Sequence, residues 1–225
     1  MISLEKYGDT TYVDWSKSTP NSLSNGIVIE LRWTFIEMRE RRNFFRTQYD
    51  KVAHFLKSIF IGDEDLDLGI YYEMQDGTKS LIDPVQFNKR GGSQNMQTKQ
   101  GCFTQFPFIW HQGDDRGKQE TSCERIYINP KGLKDIKKIF VYAFIWRGVP
   151  HWFKTDAKLE IKIGGQSCAL VNLDQTEQKE RFCVAAEISP NGNMLEVKKL
   201  STFHKNHSAC DSAYGWNFKW TSGTK

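Results

Sequence analysis

The sequence predicts a mainly all-β protein, a two-sheet β-sandwich with one inserted amphipathic helix. Three features predict it: alternation of apolar and polar residues with a period of two, one long run with no polar side, and short apolar segments separated by turn residues. Residues 1–25 are read as N-terminal strands or a leader packed on the domain, and residues 26–225 as the sandwich itself. In the first clear strand Ile27, Ile29, Leu31, Trp33 and Phe35 share one face, while Glu30, Arg32 and Thr34 mark a solvent face. A helix is expected over residues 43–60, because Phe45, Tyr49, Val52, Leu56 and Ile59 recur at helical spacing with Arg46, Asp50, Lys51 and Lys57 opposite them.

Residues 87–105 are rich in Gly, Asn, Gln and Lys and read as a long, mobile loop. Residues 139–146 offer no polar face and read as a central strand covered on both sides. Lys158, Glu160 and Lys162 oppose Leu159, Ile161 and Ile163, which marks a surface-facing strand. Shorter apolar runs at 168–173, 182–188 and 194–203 lie between turn signals at Gly164-Gly165 and Pro190-Asn191-Gly192. Near the end, Tyr214, Trp216, Phe218 and Trp220 alternate with Gly215, Asn217 and Lys219 and are expected to form a strand that plugs the core.

At 225 residues with 39% hydrophobic content the chain can bury a sizeable core, and one domain is the simplest division. Thirty-one Lys and Arg against twenty-seven Asp and Glu leave a charge of +4, which calls for no nucleic-acid or anionic-membrane partner. Five widely spaced cysteines, Cys102, Cys123, Cys168, Cys183 and Cys210, with no signal-peptide pattern, point to a cytoplasmic location. No apolar run approaches the roughly 18–20 residues that would cross a bilayer, so direct membrane insertion is not expected.

The acidic residues carry the functional signal. Asp63, Asp65 and Asp67 fall in one short run, and Asp114, Asp115 and Glu124 in another. On a strand, Asp65 and Asp67 share a face while Leu66 and Leu68 point into the core. Clustered carboxylates repel one another unless a hard cation relieves them, and calcium takes about six to eight oxygen ligands, more than one such pair provides. An EF-hand is excluded, because its glycine and closing glutamate positions would be Leu68 and Met74.

The ordered set of motifs is similar to a known family. Asp65-Leu66-Asp67-Leu68, Gly113-Asp114-Asp115-Arg116-Gly117, Glu124-Arg125-Ile126-Tyr127-Ile128-Asn129, the apolar strand at 140–146, the closing segment 207–216 and the Trp220-Thr221-Ser222-Gly223-Thr224-Lys225 end resemble the TerA branch of the TerD-like tellurite-resistance and stress proteins. The likeness runs from about Ile27 to the C-terminus. It implies a TerD-type sandwich binding one or two calcium ions through Asp65, Asp67, Asp114, Asp115, Asp63 and Glu124. It also implies a non-enzymatic role beside other tellurite-resistance or stress proteins, in a membrane-associated complex. The chain departs from the family at Thr121, Ser122 and Cys123, where calcium-binding relatives carry glycines and acids.

Three other readings compete. His204, His207 and Cys210 have zinc-like spacing, but a structural zinc site takes about four ligands and no Cys-x-x-Cys or second His pair completes one. His207 and Asp211 are instead expected in a hydrogen-bonded C-terminal turn. Arg39, Arg41, Arg42 and Arg46, interleaved with Phe44 and Phe45, suit protein docking better than nucleic acid, since Glu37 and Glu40 weaken the field; a metal-independent interaction scaffold built on residues 39–46 is the alternative function. No signature positions a nucleophile, a base and an oxyanion hole, so no enzyme is expected.

Overall fold

A computed structural model describes residues 1–20, 22–34, 65–86, 92–115, 122–148, 151–173 and 177–221. The helix expected over 43–60, the Arg and aromatic segment 39–46, and Asp63 lie outside the described residues. In chain order the strands are β1 (Ile2–Leu4), β2 (Thr10–Asp14), β3 (Ile27–Trp33), β4 (Asp65–Met74) and β5 (Lys79–Ile82). Next come β6 (Gly101–Cys102), β7 (Ile109–His111), β8 (Ser122–Ile128) and β9 (Ile136–Arg147). The last four are β10 (Lys158–Ile163), β11 (Gln166–Asn172), β12 (Phe182–Asn191) and β13 (Met194–His204), followed by helix α1 (His207–Tyr214).

These strands form two sheets, ordered β1-β11-β10-β3-β8-β7-β6 and β2-β13-β12-β9-β4-β5. All pairings between these strands are antiparallel except β1 with β11, which is parallel. Between the sheets lies the main core, supplied by Ile27, Ile29 and Leu31 from β3, Leu66, Leu68 and Ile70 from β4, and Leu159 and Ile161 from β10. The alternation read at β3 and β10 therefore marks inner faces, as expected of a sandwich.

The run at 139–146 becomes the middle of β9, flanked by β4 and β12. Its odd-numbered residues Ile139, Val141, Ala143 and Ile145 enter the main core. Its even-numbered residues Phe140, Tyr142 and Phe144 enter a second buried cluster with Tyr71, Phe182, Cys210 and Trp216. One strand thus serves two apolar layers, which explains why the sequence offers it no polar side.

That second layer corrects the reading of the C-terminus. Residues 207–214 form a helix, capped by the Asn206 side chain, which accepts from Ala209 N at 2.9 Å, and ended by Gly215 at φ 68°. Residues 216–220 have no regular secondary structure, with Asn217 at φ 65°, and join no sheet; their aromatics cover the outer face of the six-stranded sheet and stay out of the inter-sheet core. Asp211 holds them there, accepting from Asn217 N at 2.6 Å, Phe218 N at 3.0 Å and Trp220 Nε1 at 2.6 Å. His207 departs from the expected turn: its Nε2 donates to Asp83 Oδ2 at 2.7 Å, an oxygen that also accepts from the Tyr142 hydroxyl at 2.6 Å. Within the region read as a loop, Gly101 and Cys102 form β6, and Cys102 is buried.

Candidate metal centre

Strand β4 places the acids. Leu66, Leu68 and Ile70 point into the main core, so Asp65 and Asp67 turn to the opposite side of the strand. Both are buried, at 5% and 0% exposure. Asp114, partly exposed in the loop after β7, comes to meet them, and one ligand atom from each of the three carboxylates lies within 4.8 Å of the others.

Charges this close repel by roughly 3–4 kcal/mol per pair at an effective dielectric near 20. The donor set is all oxygen, without thiolate or imidazole, which fits a hard cation such as calcium and does not fit zinc. Such an ion would be held by Asp65, Asp67 and Asp114 and would supply positive charge beside three neighbouring carboxylates.

The other expected ligands are nearby but differently engaged. Asp115 Oδ2 accepts from Cys123 N at 3.0 Å. Glu124 sits on the inner face of β8, 1% exposed; its Oε2 accepts from Leu68 N at 2.7 Å and its Oε1 from Asp115 N at 3.1 Å. Ser122 and Cys123, at the position where the family pattern differs, form the start of β8, while Thr121 lies outside the described residues.

His111 joins this group and was not singled out in the sequence. It is fully buried at the end of β7, where Nδ1 accepts from Gly113 N at 3.0 Å. That bond leaves the proton on Nε2, which donates to Leu68 O at 3.0 Å. The backbone reason is plain: β5 pairs with β4 only from Ile70 onward, so Leu68 would present its N–H and C=O to an edge with no strand among the described residues. Glu124 takes the donor and His111 the acceptor. The signal available in the sequence was a histidine two residues before Gly113-Asp114-Asp115, but its main partner lies in β4.

Elsewhere, all five cysteines are free thiols. Burial pushes the Cys210 thiol up to about 12 and the Cys123 thiol up to about 11, and raises Cys183 further. Among the described residues no helix is long and apolar enough to cross a membrane.

No family model matches the chain. Among curated proteins it is similar to a tellurium resistance protein TerA from Alcaligenes sp., with 30% identity over 161 residues. The match covers 72% of this chain but 44% of that protein, so the chain spans less than half of its relative's length. Among solved structures it resembles a homologue of telluride resistance protein TerD from Streptomyces coelicolor A3(2), with TM-score 0.50 and 12% identity over 84% of this chain and 95% of the other. A crystal structure of a protein of unknown function matches with TM-score 0.50 and 10% identity, over 87% of this chain and 99% of that one. The two solved structures share the sandwich, and the TerA relative shares sequence with it. By sequence likeness to a TerA protein and by the fold it shares with a TerD homologue, the chain is TerD-like.

Proposed function

We propose that this chain is a calcium-binding, non-enzymatic interaction module of a tellurite-resistance or chemical-stress system. The observation that carries the reading is the meeting of Asp65, Asp67 and Asp114 within 4.8 Å, two of them buried. A divalent cation would cancel most of the charge there and fasten the loop after β7 to β4, giving that end of the sandwich a metal-dependent surface for partners. The partners would be other tellurite-resistance or stress proteins, in a cytoplasmic or membrane-associated assembly. Similarity to a tellurium resistance protein supports the setting. Thiols whose protons are held by burial support a role without thiol chemistry.

The test is a calcium titration of metal-stripped protein by calorimetry, with thermal unfolding in calcium and in chelator. Saturable binding is expected, with about 2.7 kcal/mol of added stability at a hundredfold excess over the dissociation constant. The variant D65N/D67N should lose that increment. Absence of heat and of any shift in the midpoint for the wild-type chain would overturn the proposal.

A further inference from the structure

Resting on the calcium reading, we infer that Glu124 and His111 form a clamp that sets the distance between Asp67 and Asp114, and that Glu124 acts as a positioning residue and not as a ligand. The geometry is specific. The residue following Asp67 is Leu68, and its N–H donates to Glu124 Oε2 while its C=O accepts from His111 Nε2. The residues flanking Asp114 are Gly113 and Asp115, and their N–H groups donate to His111 Nδ1 and Glu124 Oε1 respectively. Each clamp side chain therefore holds β4 with one atom and the Asp114 loop with another. Both side chains are buried, and their closest approach, His111 Nε2 to Glu124 Oε2, is 3.5 Å.

Neighbouring carboxylates repel one another, and hydrogen bonds that reach both β4 and the Asp114 loop oppose that repulsion. Hydrogen bonds to an ionised carboxylate are stronger than those between neutral groups, and Glu124 spends both oxygens on backbone amides. The loop has a third anchor in Asp115, whose carboxylate accepts from Cys123 N on β8. Glu124 itself projects from the seven-stranded sheet and grips β4 of the other, so the ligand spacing is fixed by the packing of the two sheets. Groups that orient metal ligands without touching the metal typically account for about 10–100-fold in affinity.

The test uses the full chain, metal-stripped, with terbium as a luminescent probe and calcium followed by calorimetry. The variants are E124Q, which places an amide where two N–H donors converge, and H111N, which keeps an acceptor for Gly113 but cannot reach Leu68. Both should weaken terbium and calcium by about 10–100-fold. The number of waters on bound terbium, from emission lifetimes in light and heavy water, should be the same as in wild type. A gain of one or more waters in E124Q would make Glu124 a direct ligand and overturn the assignment. Unchanged affinity in H111N would remove the clamp while leaving the calcium reading intact. Failure of the wild-type chain to bind either ion would remove both. Circular dichroism establishes that each variant is folded; H111Q, which keeps the donor to Leu68 O and loses the acceptor for Gly113 N, replaces H111N if that variant does not fold, and E124A likewise replaces E124Q, each judged by the same two readouts.

Discussion

At Glu30 the alternation of β3 and the chemistry of its neighbours pull in different directions. The period of two puts Glu30 on the side away from the main core, yet it is only 2% exposed, because β8 and β10 cover it with cations. Lys162 Nζ donates to Oε1 at 2.6 Å, Arg125 Nε to Oε2 at 2.5 Å, and Arg32 Nε also bonds Oε1. Burial works to raise the carboxyl pKa, but the hydrogen bonds and charges of Lys162 and Arg125 outweigh it and bring it from 4.5 to about 2. Since the folded value is the lower one, the stabilisation is fully present above about pH 4.5 and is lost as pH falls through about 2. E30Q should therefore cost roughly 1–3 kcal/mol at pH 7 and nearly nothing near pH 2, read from urea unfolding at each pH. An equal loss at both would show that packing, not charge, was removed. The sequence assigned Glu30 to the right face but called that face solvent, since nothing in β3 alone reveals Arg125 and Lys162, 95 and 132 residues away. The same holds at the acidic site. Asp65 and Asp67 were legible from their spacing and Asp114 from its glycine-flanked run, whereas the work of His111 depends on a backbone carbonyl 43 residues distant.

Among elements, β4 and β9 show how closely two strands can be matched. A Cβ at Gly69 would lie 2.4 Å from Tyr142 Cε2 and Cζ, so glycine is what lets that ring lie across β4. The ring cannot easily swing aside, being held by its hydroxyl bond to Asp83 and packed 4.6 Å, centroid to centroid, from Phe182. G69A should destabilise by about 1–3 kcal/mol, seen as a lower urea midpoint with an unchanged slope. A midpoint equal to wild type would mean that the aromatic layer yields. The apolar run of β9 was readable because both of its faces are buried, which leaves a continuous apolar stretch with no polar side. Helix α1 was not, because the alternating aromatics of residues 214–220 suggested a strand while the two boundary residues, Asn206 and Gly215, carried the helix signal. The aromatics do share one side, but no ladder of hydrogen bonds accompanies them, and Asp211 supplies the acceptors instead.

For the molecule as a whole, the first fourteen residues join both sheets at one side, β1 beside β11 and β2 beside β13. Lys199 fastens this arrangement. It is 5% exposed, and its ammonium donates to Leu4 O at 3.1 Å and Glu5 O at 3.0 Å. K199M should leave those carbonyls without their donor and raise amide exchange in β1 by tenfold or more, with β9 unaffected, as followed by hydrogen exchange and mass spectrometry. Equal exchange in both proteins would show that the β1–β11 ladder suffices alone. The pairing also sets an order of events during synthesis. Ile2 waits for Ala169 and Thr11 for Val197, so strands that leave the ribosome early are among the last to find partners. At about 5–20 residues per second the delay is roughly ten to forty seconds. For that interval Ile2, Tyr7 and Tyr12, still exposed in the finished fold, belong to a nascent segment open to chaperones and proteases, and completion of β13 ends that exposure of the backbone.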